Sequence, residues 1–276
     1  MKPLLILLCF FVFVPMSGQA QSLPKVPPII VNYDVYVGGL HLVTSEVLIH
    51  IQSKTYRSVV KAKTYGFWHR VLPWDTTLIA KGKVVGHNFV PTEYSSNDVW
   101  EHKPKITKLR FHKGNVTAEF DPPNTDQNRE IVTPEQRRGA RDPVSALLQM
   151  LGHLAVYGNC NVAVNVFDGK RLFGVTDSDD GTEEIDADEY GVFKGEARTC
   201  NADFTMIAGE WKERKPSRFW QKSDAGAGRD PFRIWTAKIA PELPEMAVKL
   251  ESDSVFGPII INLSGWRHAT LAELKP

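Results

Sequence analysis

The feature that most constrains the fold is an alternation of apolar and polar side chains with a period of two. Val31, Tyr33 and Val35 fall on one face of an extended segment, and Asn32 and Asp34 fall on the other. The same alternation recurs in segments 56–64, 116–120 and 162–166. Because successive side chains of a strand point to opposite faces, these segments predict half-buried β-strands.

Turn residues punctuate these strands. Gly38-Gly39 and Asp168-Gly169 are two-residue signals for tight hairpins, the second one lying between NVAVNVF and KRLFGV. Glycines at Lys81-Gly82-Lys83, Lys113-Gly114-Asn115 and Lys194-Gly195 predict further turns. Strands joined by tight turns predict an antiparallel meander.

One segment has a helical period instead. Its apolar residues are Val144, Leu147, Leu148, Leu151, Leu154 and Ala155. Asp142 is a suitable N-cap, Pro143 suits the first turn, and Gly158 is a suitable C-terminal stop. The sequence therefore predicts one amphipathic helix over about 142–157.

A single apolar helix among many strands needs a hydrophobic surface to cover it. We therefore expect a mainly β fold, with a long, strongly curved antiparallel sheet (an open barrel or spiral) wrapped around this helix. No linker long enough to separate two cores is evident, so residues 21–276 are expected to form one domain. The alternative is a split into two domains near 122–141.

The N-terminus predicts export. Lys2 precedes an apolar run from Leu4 to Val14, and Gly18-Gln19-Ala20 supplies small residues for cleavage. Residues 1–20 are thus expected to be a signal peptide. No second apolar run reaches the roughly 18 residues of a membrane-spanning helix. The formal charge of +1 becomes 0 without Lys2, so charge gives no argument for nucleic acid or an anionic membrane as partner.

After cleavage, two of the three cysteines remain. Cys160 and Cys200 are expected to form one structural disulfide, because paired cysteines of exported proteins are usually oxidised. Two buried free thiols are the alternative. A C-x-x-C pair, which is typical of redox-active sites, is absent.

An acidic stretch, TDSDDGTEEIDADEYG at 176–191, contains eight carboxylates. Neither register that we tested places both glycine and glutamate as an EF-hand loop requires. We therefore expect a solvated turn between the strand RLFGV and a strand near 190–193, and no metal site. A looser calcium site on Asp177, Asp179 and Asp180 is the alternative.

No sequence motif indicates catalysis or a cofactor. The chain has no H-E-x-x-H, no G-x-S-x-G and no phosphate-binding P-loop motif. The DAGAGRD stretch has glycines but no strand–turn–helix context, so it is expected to be a flexible loop. We expect no enzyme, no catalytic residue and no cofactor, the alternative being a hydrolase triad assembled from distant positions.

Aromatic residues give the main indication of a ligand. GFWHRVLPWD, residues 66–75, carries Trp68 and Trp74, and Trp100 follows. Together with Leu151 of the helix, these side chains are the candidates to line a cavity for an acyl chain or another amphiphile. The alternative is an ordinary sheet-on-helix core with an exposed loop.

The order of the motifs resembles a known family. YDVYVGGLHL, GKVVGHNFVPTEY, RDPVSALLQML, NCNVAVNVFDGKRLFGV and ARTCNADFTMIAG succeed one another over residues 30–240. This succession is similar to exported Gram-negative proteins grouped as a domain of unknown function, and the FDGKR hairpin flanked by two cysteines is its most specific part. The resemblance implies a periplasmic, mostly β domain with a curved sheet around a helix. More distantly, the chain resembles spiral-sheet envelope-integrity proteins and lipoprotein-carrier half-barrels.

These observations favour a non-enzymatic periplasmic protein associated with the cell envelope, with a lipid or another hydrophobic ligand in the concavity of the sheet. A protein-interaction module without a pocket, which would bind envelope proteins, is the alternative.

Overall fold

The computed structural model describes residues 23, 26–125, 128–186, 190–212 and 232–274. The expected signal peptide and the DAGAGRD loop lie outside these residues. Strands on the N-terminal side of the long helix are β1 Ile29–Val37, β2 Leu40–Ile51, β3 Thr55–Thr64, β4 Trp74–Val85, β5 Asn88–Trp100, β6 Lys103–His112 and β7 Asn115–Asp121. Those that follow it are β8 Val162–Phe167, β9 Leu172–Ile185, β10 Gly195–Ala208, β11 Phe232–Lys238, β12 Glu245–Ser254 and β13 Gly257–His268. The helices are α1 Phe67–Val71 and α2 Pro143–Tyr157.

The described strands form one sheet of 13 strands in the order β7-β6-β5-β4-β3-β2-β1-β13-β12-β11-β10-β9-β8. Every neighbouring pair is antiparallel, including β1 with β13, which joins the two halves of the chain. The sheet does not close, because β7 and β8 are its outer strands. The predicted mainly β, antiparallel fold is confirmed.

Helix α2 begins and ends where the sequence predicts. The Asp142 carboxylate accepts hydrogen bonds from the backbone N–H groups of Val144 and Ser145 at 3.1 and 2.9 Å. Gly158 ends the helix in the left-handed region, with φ of 66°. Burial raises the pKa of Asp142 to about 6, although the hydrogen bonds from Ser145 and Val144 oppose this rise. The Asp142 carboxylate is therefore a fully buried polar group whose hydrogen-bond donors come from the first turn of α2 itself.

Helix α2 packs on the inner face of the sheet. Leu148 lies in one continuous core with Ile29, Ile49 and Phe89. Gly152 allows this close approach, because a Cβ atom at that position would lie 2.6 Å from Cε2 of Phe89. The absence of a side chain at one helical position thus lets an aromatic ring of β5 lie against the helix backbone.

The expected disulfide is confirmed. Cys160 and Cys200 are joined across 40 residues of sequence, with their Cα atoms 5.9 Å apart. Both cysteines are buried and pack against Leu154 of α2. The disulfide therefore ties β10 to the segment between α2 and β8.

The prediction of a turn for the acidic stretch was wrong. Its first ten residues, 176–185, continue strand β9 and pair with β10, whereas 190–193 is connecting chain and not a strand. Basic residues of β10 and β11 explain this. The Asp179 carboxylate lies 3.0 Å from the guanidinium of Arg198 on the neighbouring strand β10, and the Glu183 carboxylate lies 2.9 Å from that of Arg233 on β11, one strand further. The opposite charges of Asp179 and Arg198 favour a strand pairing that the carboxylates alone would oppose.

The prediction of a turn at 81–83 was also wrong, since these residues lie within β4. Gly82 is required there by a close approach, because its Cβ would lie 2.3 Å from the carbonyl oxygen of Val90 and 2.5 Å from the Tyr56 ring. The register between β4 and β5 shifts at this point, as in a β-bulge. The hairpin itself turns at Gly86, whose φ is 63°.

Candidate functional site

The inner face of the sheet is filled by α2. Leu151 lines two cavities beside the helix, one of about 30 Å³ with an entirely apolar lining and one of about 40 Å³ next to the disulfide. A cavity for a drug-sized ligand usually measures about 300–1,000 Å³, and one water needs about 10–15 Å³ of such volume. These two cavities therefore match a few water molecules rather than an acyl chain.

The structure separates Leu151 from the predicted tryptophans. Trp68, Trp74 and Trp100 do not line either cavity beside the helix. Trp74 and Trp100 are cross-strand neighbours at the ends of β4 and β5, and Trp68 lies on α1. The three rings thus belong to one end of the sheet, away from Leu151.

That end of the sheet presents four exposed apolar side chains, which we call the apolar rim: Leu40, Phe67, Trp100 and Phe256. They are 54%, 67%, 45% and 59% exposed, respectively. Leu40 begins β2, Phe67 begins α1, Trp100 ends β5, and Phe256 lies in the β12–β13 turn. Tyr65, Val71, Leu72 and Val255 are further exposed apolar residues of the same turns.

Backbone hydrogen bonds join the turns of the apolar rim into one surface. The N–H of Gly38 donates to the carbonyl of Pro258 at 3.0 Å, and the N–H of Tyr65 donates to the carbonyl of Leu42 at 2.8 Å. The N–H of Glu101 likewise donates to the carbonyl of Pro73 at 3.0 Å. The turns that carry the exposed side chains are therefore held next to one another along this end of the sheet.

The Thr64 hydroxyl fixes the segment that carries α1. It donates to the carbonyl of Leu72 at 2.9 Å and accepts from the backbone N–H of Trp74 at 3.3 Å. Nδ1 of His69 lies 3.0 Å from the same oxygen, and Nε2 of His69 lies 3.9 Å from Asp75. This hydroxyl, histidine and carboxylate resemble a triad, but the carbonyl of Leu72 competes with Nδ1 of His69 for the hydroxyl proton. The arrangement holds the loop in place.

A second histidine stiffens the neighbouring hairpin. The His41 ring stacks on Tyr65 with ring centroids 3.9 Å apart and on Tyr36 with centroids 4.8 Å apart. Nε2 of His41 lies 3.3 Å from Asp34. These aromatic stacks hold the β1–β2 hairpin against the segment that leads into α1.

A wider recess lies beside this hairpin. It measures about 590 Å³ and is lined by polar residues of β1 to β4, including Asp34, Glu46, Lys61, Lys63 and Asp75. None of its hydroxyl groups forms a hydrogen bond with a histidine in the part of the chain that the structure describes. The recess therefore presents charge of both signs.

Asp177 stands out among the carboxylates of the acidic stretch. The residue is 7% exposed, and its Oδ1 has no hydrogen-bond partner among the residues that the structure describes. Burial raises the pKa of Asp177 to about 7. In the described ranges, no group of three or more histidine, cysteine, aspartate or glutamate residues is arranged to hold a metal ion. The described helices also include none long and apolar enough to cross a membrane.

Sequence reasoning proposed Trp68, Trp74 and Trp100 as cavity residues, of which Trp100 belongs to the apolar rim, and it did not single out Leu40 or Phe256. Both missed residues adjoin turn glycines, in Gly39-Leu40 and Phe256-Gly257. An apolar residue next to a turn glycine was the available signal, since turns are usually polar.

Comparison with known families gives a match to the model described as "Protein of unknown function (DUF3108)", over residues 32–241. The chain belongs to this family. Among curated proteins, none matches the chain. Among solved structures, it is similar to the crystal structure of a β-barrel-like protein of the domain of unknown function DUF1849 from Brucella abortus. The two chains share 11% identity with a TM-score of 0.49, over 90% of this chain and 100% of the other.

Proposed function

We propose that this DUF3108 protein is a non-enzymatic, periplasmic protein of the cell envelope that docks on a lipid surface through its apolar rim. The observation that carries the proposal is the exposure of Leu40, Phe67, Trp100 and Phe256 on adjoining turns at one end of the sheet. Contiguous exposed apolar surface on a folded domain usually marks a contact with a partner or a membrane.

The chemistry of the apolar rim favours a lipid surface over a single acyl chain. The rim projects from separate turns, and its residues line neither cavity beside α2, which packs on the inner face of the sheet. Aromatic side chains with a basic neighbour suit the boundary between headgroups and acyl chains. Arg70 and Lys103 lie beside Phe67 and Trp100, but so does Glu101. This mixed charge fits zwitterionic headgroups, so docking does not require an anionic lipid.

The non-enzymatic part of the proposal is supported by the state of the Thr64 hydroxyl. The one arrangement at the rim that resembles a triad uses this hydroxyl to hold a loop closed. A hydrolase would need a hydroxyl that is free to attack a substrate.

Binding of the purified mature protein to zwitterionic phosphatidylcholine vesicles tests the proposal. Burying one Phe or Leu side chain contributes about 1.5–3 kcal/mol, so Phe67→Glu is expected to weaken vesicle binding by at least about tenfold. Leu40→Glu is expected to do the same. Leu271→Glu is the matched control, because Leu271 is 85% exposed but lies beyond β13, away from the apolar rim.

Three readings are decisive. Co-sedimentation measures affinity, and osmotic-shock fractionation reports the compartment. Tryptophan emission, compared with that of a Trp100→Phe variant, reports whether the exposed ring of Trp100 enters a drier environment. Equal binding by Phe67→Glu and Leu271→Glu would refute docking through the apolar rim. A lipid that co-purifies at one molecule per protein would favour a carrier instead, and absence from the periplasmic fraction would refute the location.

A further inference from the structure

The edges of the open sheet meet at a seam that the FDGKR hairpin occupies. This hairpin joins β8 to β9 and lies against β6 and β7. The absence of a side chain at Gly169 allows the hairpin to lie this close, because a Cβ there would lie 2.8 Å from Cγ2 of Thr107 and 3.3 Å from the Phe120 ring. On the other side, Arg141 bridges to β8 through the N–H of Arg141 and the carbonyl of Asn165, at 2.8 Å. The seam is therefore bridged by side chains and loops and not by a strand ladder.

Within the hairpin, Asp168 is committed to its own turn. Its carboxylate accepts from the backbone N–H groups of Lys170 and Arg171 at 2.9 and 2.7 Å. It also forms an ion pair with the Arg171 guanidinium at 2.7 Å. The Asp–Arg pair neutralises itself and leaves the Lys170 ammonium without an ion-pair partner among the described residues.

Lys170 lines a pocket of about 180 Å³ at the seam. The rest of the wall includes Phe120 of β7, Phe167 of β8 and, from the segment that leads into α2, Arg129, Glu130 and Arg137. Nζ of Lys170 lies 5.5 Å from the centre of the Phe120 ring, and Cζ of Arg137 lies 5.3 Å from the centre of the Phe167 ring. Each cation is thus held over the face of an aromatic ring, which positions the charge without neutralising it.

The positive charge of this pocket exceeds its negative charge. Arg137 and Lys170 line it beside Arg129, which donates to the carbonyl of Gly209 at 2.7 Å, and Glu130 is the single acidic residue among the described lining residues. Nε of Arg137 is buried and bonds to no acceptor among the residues that the structure describes. The exposed Glu135 interacts only weakly with Arg137, because its pKa is lowered mainly by a hydrogen bond with its own backbone and least by the charge of Arg137. A pocket wall with more cationic donors than carboxylates suits an oxyanion, which accepts charge-assisted hydrogen bonds from guanidinium and ammonium groups.

We propose that the seam pocket binds a phosphate group through Arg137 and Lys170. The guanidinium supplies donors in a planar fork, and the ammonium supplies a point charge, which together suit the several oxygens of a phosphate. Phe120 and Phe167 form an apolar wall beside these donors. The same chemistry serves free phosphate and the phosphate of an amphiphile, and the apolar wall favours the amphiphile.

Calorimetric titration of the full-length mature protein with two probes, inorganic phosphate and hexyl phosphate, tests this site. Both probes are expected to bind, with affinity falling as ionic strength rises. Hexyl phosphate is expected to bind at least about tenfold more tightly than inorganic phosphate, because its chain contacts the aromatic wall. Equal affinity would assign the pocket to free phosphate and overturn the amphiphile assignment.

Matched variants separate this site from general surface charge. Arg137→Gln and Lys170→Met are each expected to weaken hexyl phosphate binding by at least about tenfold. Arg138→Gln and Lys194→Met are the controls, because these exposed residues do not line the pocket. A melting temperature equal to that of the parent shows that a variant folds. If Arg137→Gln does not fold, Lys170→Met alone serves as the test. No binding of either probe at millimolar concentration, or equal loss in controls and test variants, would overturn the proposal.

Discussion

Asp177 provides a direct test of how α2 lies against the sheet. Asp177 lines the cavity of about 40 Å³ between α2 and the sheet, together with Leu154 and Cys160. It is buried, and no cation or N–H group among the described residues bonds to its Oδ1. We predict that Asp177→Asn stabilises the protein at alkaline pH and has little effect near pH 4.

The magnitude follows from the two pKa values of Asp177. Its pKa is about 7 in the folded protein, because burial disfavours the charged form, and about 3.9 in an unfolded chain. The folded state therefore binds more protons than the unfolded state between about pH 4 and pH 7, and its stability falls as pH rises across that window. A pKa difference of about three units lowers the free energy of unfolding by about 4 kcal/mol above pH 7. Because the structure around the charged carboxylate can relax, we expect a measured effect of about 2–4 kcal/mol. The gain from Asp177→Asn should appear over the same window and level off above pH 7.

Urea unfolding at pH 4.5, 6 and 8, with the disulfide intact, measures this difference. Asp180→Asn is the matched control, since Asp180 lies in the same strand but is exposed. Asp142, whose pKa is also raised, is present in every protein compared, so its contribution cancels. A stability difference between Asp177→Asn and the parent that does not change with pH would refute the buried, unpaired state of this carboxyl.

Three further substitutions test the packing around α2 and the seam. Cys200→Ser should lower the melting temperature by about 10 °C, because a disulfide that closes a loop of this length contributes about 4 kcal/mol to the free energy of unfolding. The parent protein in reductant should melt at the same temperature as the variant. Identical melting of the oxidised parent and the variant would count against the bridge. Leu151→Asp should prevent folding, since it places an unpaired charge between helix and sheet, and a cooperative unfolding transition at the parental temperature would contradict this. Gly169→Ala should lower the free energy of unfolding in urea by about 1–3 kcal/mol, because φ of residue 169 is 102° and the new Cβ would meet the Thr107 side chain. An unchanged urea midpoint would refute the close approach of the β8–β9 hairpin to β6.

The periodic parts of the fold were predictable because local physics determines them. Alternation identified β1 and β8, and the cap residues Asp142 and Gly158 fixed both ends of α2. The pairing of Cys160 with Cys200 followed from their number and the expected export. These signals need no knowledge of which strands become neighbours.

The failures occurred where a distant neighbour decides the structure. The run 176–185 looked like a solvated turn because its partners Arg198 and Arg233 lie on other strands. Gly82 looked like a turn because the Tyr56 ring and the Val90 carbonyl, which require a glycine there, are remote in sequence. The apolar rim and the seam pocket were hidden for the same reason, since each is assembled from turns that are far apart in the chain.

The packing of α2 in the concavity of the sheet favours these two surfaces over an interior ligand site. For an acyl chain to occupy the inner face, α2 would have to leave it and expose Val144, Leu148 and Leu154, which are all buried. At about 1.5–3 kcal/mol for each side chain, this exposure costs about 5–9 kcal/mol, which is comparable to the whole stability of an ordinary domain. A ligand would have to supply that free energy before any net binding appeared. The apolar rim and the seam pocket require no such displacement, because their side chains already face outward or line an existing pocket.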